Sequence, residues 1–198
     1  MVIQTLRIIS FLLLLSSCGM KPSVNETKAI EKTSSSPFTF IPADFELLDS
    51  ISGNINGDSL NDLLMICRPI GEDTLSIDED SILKRVMLLL TGAKSNTYTL
   101  AAKSENAVYC YSCGGMYGDP YAGLEINGQS FTISHYGGAA ERWTRSLTFS
   151  YDPNLNDWLL VRDESEVFDA LNTDSIESEV KTPADFGKLR FSDFNIYN

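Results

Sequence analysis

His135 is the single histidine of this 198-residue sequence, so general acid–base catalysis near neutral pH would depend on it. Asp119, Glu125 or Glu141 could orient its ring, which would make the chain a small hydrolase. No serine stands in the G-x-S-x-G context of a nucleophile elbow. A histidine at a strand end beside two glycines is more often a structural hydrogen-bonding group. Catalysis by His135 with Asp119 or Glu141 is therefore the alternative prediction.

A loop at residues 53–64 carries oxygen-bearing side chains at alternate positions, in the order Gly-Asn-Ile-Asn-Gly-Asp-Ser-Leu-Asn-Asp-Leu-Leu. It resembles the calcium loop of FG-GAP or VCBS-type repeats, where oxygens of a tight loop converge on a hard cation. The resemblance implies calcium as a cofactor, with these ligands: Asn54, Asn56, Asp58, the Leu60 carbonyl and Asp62. The first ligand is Asn rather than Asp, and Ser59 replaces a glycine. The alternative is a hairpin loop whose Asn and Asp side chains bond their own backbone.

Three cysteines follow Cys18 along the chain, and in an oxidising compartment two of them should pair. Cys110 and Cys113 are the obvious pair, although a straight strand would hold their Cα atoms about 10 Å apart. A disulfide therefore requires a turn at Tyr111-Ser112. Cys67 with either partner is the alternative pairing. Thiol redox catalysis is not favoured, because the glycines after Cys113 prevent the helix that activates such a thiol.

Aromatic residues crowd the glycine-rich third of the chain. If they face outward together, they form a platform for a sugar ring or an extended peptide; if they face inward, they are core. The binding candidates are Tyr117, Tyr121, Tyr136, Arg142 and Trp143.

Two further motifs follow the calcium-like loop in order, Cys-x-x-Cys-Gly-Gly-x-x-Gly-Asp-Pro from residue 110 and His-Tyr-Gly-Gly from residue 135, with Arg-Trp at 142. Together they resemble a family of uncharacterised secreted or lipid-anchored bacterial proteins. The resemblance covers most of residues 40–162. It implies a shared fold and supplies no activity.

The N-terminal segment has the pattern of a bacterial lipoprotein signal. The apolar run from Ile8 to Leu15 is too short to span a bilayer and fits a secretory h-region. Leu15-Ser16-Ser17-Cys18 resembles a lipobox, which implies cleavage after residue 17 and lipidation of Cys18. Residues 18–37 are then the lipidated cysteine and a flexible tether, because their polar composition cannot bury a core. The predicted location is the bacterial cell envelope, on the outer membrane facing the periplasm.

The net charge of −12 limits the partners of this chain. An acidic sequence with no Lys/Arg cluster argues against nucleic acid and against anionic lipid headgroups. The membrane is therefore expected as a partner only through the lipid on Cys18. An acidic surface would also suit a basic protein partner, as in an immunity or inhibitor protein.

Short runs of β-branched and aromatic residues between turn residues predict strands. The predicted strands are 45–51, 62–67, 85–90, 97–101, 107–110, 123–126, 131–135, 142–151 and 158–162. Asn127-Gly128 predicts a type I′ hairpin turn. Residues 164–171 could form a short helix, and 188–197 a final strand. The fold class is mainly β: a single antiparallel domain over residues 38–198, a sandwich or curved meander with at most one short helix.

These observations favour a non-enzymatic, lipid-anchored module that binds an unknown protein or glycan ligand in the envelope. The small periplasmic hydrolase and the immunity or inhibitor protein are the alternatives.

Overall fold

The computed structural model describes residues 32–74 and 82–198, without the side chains of 173 and 174. They form a mainly β unit of two antiparallel five-stranded sheets, which confirms the predicted fold class. The signal segment, Cys18 and the first part of the tether lie outside the described residues. No helix within the described residues is long and apolar enough to cross a membrane.

The first sheet is built from the N-terminal half of the chain. Its strands are β1 (Thr33–Ser34), β2 (Phe45–Gly53), β3 (Asp62–Pro69), β4 (Val86–Ala93) and β5 (Thr97–Ser104). They lie in the order β1-β5-β4-β3-β2. A 3-10 segment, Pro37–Phe40, precedes β2.

The second sheet is a meander of neighbouring strands. It contains β6 (Tyr121–Asn127), β7 (Ser130–Gly138), β8 (Glu141–Asp152), β9 (Asp157–Asp169) and β10 (Asn172–Lys181), in the order β10-β9-β8-β7-β6. A 3-10 segment, Tyr111–Tyr117, leads into it, and the short helix α1 (Pro183–Phe186) follows it. Thr182 and Asp185 form a capping box at the start of α1.

The main core lies between the two sheets. Phe131 and Phe149 stack at 5.3 Å between ring centroids, and both contact Phe191 edge to face. From the first sheet, Leu64 and Leu89 enter the same cluster. A second cluster forms on the other face of β3 and β4, where Phe40 and neighbouring residues pack. Because β4 is buried on both faces, Val86 to Leu90 form a continuous apolar run.

The second sheet presents two kinds of surface on its inner face. β8 and β9 have 12 and 13 residues, against eight or nine in β2 to β5. Leu147 and Phe149 belong to the core, whereas Trp143 and Arg145, four and two residues before Leu147 on the same face, do not. The inner face therefore continues beyond the core as a more polar surface.

Several local predictions differ from the structure. Residues 107–110 are irregular rather than a strand. Residues 164–169 are the second half of β9 instead of a helix, because β10 pairs with them from Asp163 to Phe168. The tail makes one bridge, Arg190 with Leu159, and otherwise turns, with Phe191 and Ile196 buried in the core.

The hairpin between β6 and β7 is present, but its turn differs from the predicted type. Asn127 still pairs with Ser130, so Gly128 and Gln129 are the two central residues. Only Gly128 has a positive φ, of 59°. A type I′ turn needs two such residues, whereas a glycine at the first position is the signature of type II′.

Candidate functional site

His135 is buried in the interior of the protein. Its Nε2 accepts a long hydrogen bond of 3.5 Å from the Tyr109 backbone N–H, and its Nδ1 has no partner among the described residues. Burial lowers the pKa of His135 to about 4. The imidazole is therefore neutral at pH 7, and the rings of Tyr109 and Tyr121 lie beside it.

The two candidate acids are occupied elsewhere. Asp119 binds the guanidinium of Arg85 through two hydrogen bonds of 2.8 and 2.7 Å. Arg85 is fully buried and also binds Glu72, which is equally buried. Glu141 is exposed at the start of β8. In the described part of the chain, no hydrogen bond joins His135 to Asp119 or Glu141.

The calcium-like loop forms a network of hydrogen bonds to its own backbone. The side-chain oxygens of Asn54, Asn56 and Asp58 accept from the backbone N–H groups of Gly57, Asp58 and Leu60. Such oxygens keep a second lone pair, so these bonds alone leave room for a cation.

Asp62 differs from the other calcium candidates because it is fully buried. Its two carboxylate oxygens accept from the backbone N–H groups of Ile55 and Gly92, both at 2.9 Å. Burial raises its pKa. Asp62 thus joins the loop to β4, and Asp58 is left as the exposed carboxylate of the candidate set. No group of three or more His, Cys, Asp or Glu side chains within 32–74 and 82–198 is arranged to hold a metal.

Cys110 and Cys113 lie at disulfide distance, as predicted, with Cα atoms 5.1 Å apart. The required turn is the 3-10 segment that begins at Tyr111, and Cys113 N–H donates to the Cys110 carbonyl. Cys67 is a free thiol in the second core cluster. Burial raises its pKa to about 11, so it is an inert structural cysteine.

The predicted aromatic platform is divided between the two faces of the second sheet. On the outer face, the Arg142 guanidinium lies 4.7 Å from the centroid of the Tyr117 ring and 5.9 Å from that of Tyr136. Trp143, the next residue on β8, points to the inner face. Tyr121 donates its hydroxyl to Asp49 at 2.7 Å. The five candidates therefore do not form one surface.

Trp143 lines a groove of about 320 Å³ on the inner face beyond the core. Its other aromatic and charged lining residues, with one serine, are Tyr109, Arg145, Asp163, Ser165, Glu179 and Lys181. Thr144 and Asn198 complete the lining. We call it the inner-face groove. Register explains its composition, since Arg145 pairs with Ser165 on β9, and Asp163 and Ser165 pair with Lys181 and Glu179 on β10.

Arg145 organises the floor of the groove. Its Nε and Nη2 donate to the two oxygens of Asp163 at 3.0 and 2.9 Å. Its Nη1 donates to the Tyr109 hydroxyl at 2.9 Å and to the Ile196 carbonyl at 3.0 Å. Both charged side chains are mostly buried, with 20% and 13% of their surface exposed. Trp143 lies edge to face with Tyr109, with 5.6 Å between ring centroids.

The sequence prediction included Trp143 but omitted the charged members of the inner-face groove. The alternation in β8 was a usable signal, because Trp143, Arg145, Leu147 and Phe149 share one face. An arginine continuing an apolar face predicts a buried ion pair. Its partner Asp163 is 18 residues away and follows only from the pairing of β8 with β9.

Comparison of this chain with protein-family models, with curated proteins and with solved structures finds no match.

Proposed function

We propose that this chain is a lipid-anchored protein of the bacterial envelope whose β domain is a non-enzymatic binding module. The proposal for binding depends on the inner-face groove. This groove is a concave surface outside the core, and it combines the partly exposed indole of Trp143 with polar side chains such as Arg145 and Asp163, whose positions are fixed by hydrogen bonds. The lipobox-like Leu15-Ser16-Ser17-Cys18 supports the anchor, and the polar residues after it support a tether.

The geometry favours binding over hydrolysis. His135 is buried and neutral, and Asp119 is held by Arg85. A general base must reach the proton that it abstracts, directly or through one water. The inner-face groove, by contrast, opens to solvent and needs no rearrangement of the core to admit a ligand.

Fractionation of a bacterial host that expresses the full chain tests the anchor. We expect the protein in the outer-membrane fraction, with an intact mass that includes acyl chains. A Cys18→Ala variant should lose the acyl mass and leave the membrane fraction. A single acyl chain gives only marginal membrane binding, and this variant has no acyl chain. An unacylated wild-type protein would contradict the proposed anchor.

A further inference from the structure

We infer that the ligand of the inner-face groove is an uncharged saccharide of one or two rings. The inference rests on the proposed binding function and names the class of ligand for it. Three properties of the groove carry it: its size, the pairing of its charges and the placement of Trp143.

The size suits a small ligand with many polar groups. The groove measures about 320 Å³, at the lower end of the ~300–1,000 Å³ typical of small-molecule sites. Its lining is mainly polar, which suits a hydroxyl-rich ligand better than an apolar one. An extended peptide would need a longer cleft.

The charges of the groove are balanced in pairs. Arg145 binds Asp163 at 2.9 Å, and Lys181 binds Glu179 at 3.1 Å. Among the side chains that line the groove, two cations and two anions leave no net side-chain charge with which to select an ionic ligand. Carboxylates still accept and the cationic groups still donate additional hydrogen bonds, so the surface offers both kinds of partner that a hydroxyl uses.

Trp143 supplies the apolar surface of the site. An indole ring is rigid and amphipathic, and it offers a flat face to a ring-shaped ligand. Its position is set by Gly137 beneath it and Tyr109 beside it. Tyr109 is in turn held through its hydroxyl by Arg145. Holding these groups in place before binding lowers the entropic cost of association.

The test uses the full chain purified from membranes in a polyoxyethylene detergent, because sugar-based detergents would compete. Chitobiose, cellobiose, maltose and N-acetylglucosamine are titrated by calorimetry and by tryptophan fluorescence. We expect at least one of them to bind and to change the fluorescence. Trp143→Ala should weaken that binding at least tenfold, and Asp163→Asn at least fivefold.

Tyr117→Ala provides the matched control. Tyr117 is 54% exposed and stacks on Arg142 at the opposite face of the same sheet. This variant should keep the wild-type affinity within twofold. Trp158 is buried in the core and reports on folding in every variant, so a misfolded variant is recognised before its affinity is compared.

Each sugar is tested up to roughly 10 mM, which is about ten times the dissociation constant of a weak site. Absence of binding by all four sugars at that concentration would overturn the saccharide assignment. Binding that survives Trp143→Ala would overturn it as well. A mixed hexapeptide pool is tested in the same way. If the wild-type protein binds these peptides and Trp143→Ala does not, the groove is a binding site but its ligand is not a saccharide. A wild-type protein that carries no acyl chains and is absent from the membrane fraction would instead reject the anchor. The failure of the anchor and the failure of the saccharide assignment are therefore distinguishable.

Discussion

Trp143 packs its indole ring against the backbone of Gly137 on the neighbouring strand. The two residues are paired across β7 and β8, and a Cβ on Gly137 would lie 2.5 Å from Cζ2 of the ring. The glycine is therefore required by space rather than by its backbone angles. It sets the position of the aromatic wall of the inner-face groove.

Gly137→Ala should displace the Trp143 ring and strain the sheet. We expect a loss of about 1–3 kcal/mol in the free energy of unfolding, the usual cost of an extra methyl group in a packed site. Tryptophan emission should also shift because the Trp143 ring moves. Trp158 remains in the core and contributes a constant signal. Denaturant unfolding measures the first effect. Ser130→Ala, on the opposite face of the same strand, should stay within about 0.5 kcal/mol of wild type. Equal losses in the two variants would contradict the packing argument.

Glu72→Ala should be among the most destabilising single substitutions in the described residues. It removes one partner of a buried guanidinium, and breaking a buried ion pair costs about 3–5 kcal/mol. Glu46→Ala is the control, because the Glu46–Arg68 pair is exposed and should contribute at most about 1 kcal/mol. Denaturation at fixed pH gives both values. A Glu72→Ala loss near that of Glu46→Ala would show that Asp119 alone satisfies Arg85.

His135 should make the protein less stable as the pH falls below neutrality. Its pKa is about 4 when folded, and an unfolded histidine has a pKa near 6.5. The neutral form is favoured in the folded state, so its contribution is complete above pH ~6.5 and is lost as the pH falls towards 4. Linkage gives a loss of about 2 kcal/mol between pH 7 and pH 5.

Comparison with His135→Asn isolates this contribution from the carboxylates. The variant should be less stable at pH 7 but should lose less stability between pH 7 and pH 5. Equal slopes for the two proteins over this interval would mean that His135 titrates normally in the folded state.

Alkylation followed by intact mass should distinguish the cysteines. The native protein should take up no label, because Cys67 is buried and Cys110 and Cys113 are bonded. Denaturant alone should expose one thiol, and denaturant with reductant should expose three. A fourth label would show that Cys18 carries a free thiol instead of a lipid. Labelling of Cys110 or Cys113 without reductant would contradict the disulfide.

Calcium should bind residues 54–62 weakly if the loop is used as the FG-GAP resemblance implies. Only Asp58 offers an exposed carboxylate, because Asp62 is buried against Ile55 and Gly92, and affinity rises with the charge of the ligands. We expect the melting temperature to rise only at millimolar calcium and the rise to vanish in Asp58→Asn. An unchanged melting temperature up to that concentration would mean that the loop binds no calcium and that its Asn and Asp side chains serve only to hydrogen-bond the loop backbone.

Local patterns in the sequence predicted most of the secondary structure. Eight of the nine predicted strands are present, because alternation and turn residues act over a few positions. β10 was missed because its sequence, rich in Glu and Ser, lacks the β-branched pattern, and it forms a strand by pairing with the edge of β9. The same pairing overrides the helical pattern predicted after Asp163.

What the sequence by itself determined is the β class, the positions of most strands, and the need for a turn at Tyr111-Ser112 if Cys110 is to pair with Cys113. Those properties follow from a period of two and from short-range turn chemistry. Only the tertiary structure decided that Arg85 binds Glu72 and Asp119, and that Trp143 joins Arg145 and Asp163 in one groove. These contacts depend on the register between strands and on the stacking of two sheets, which bring together residues far apart in the chain.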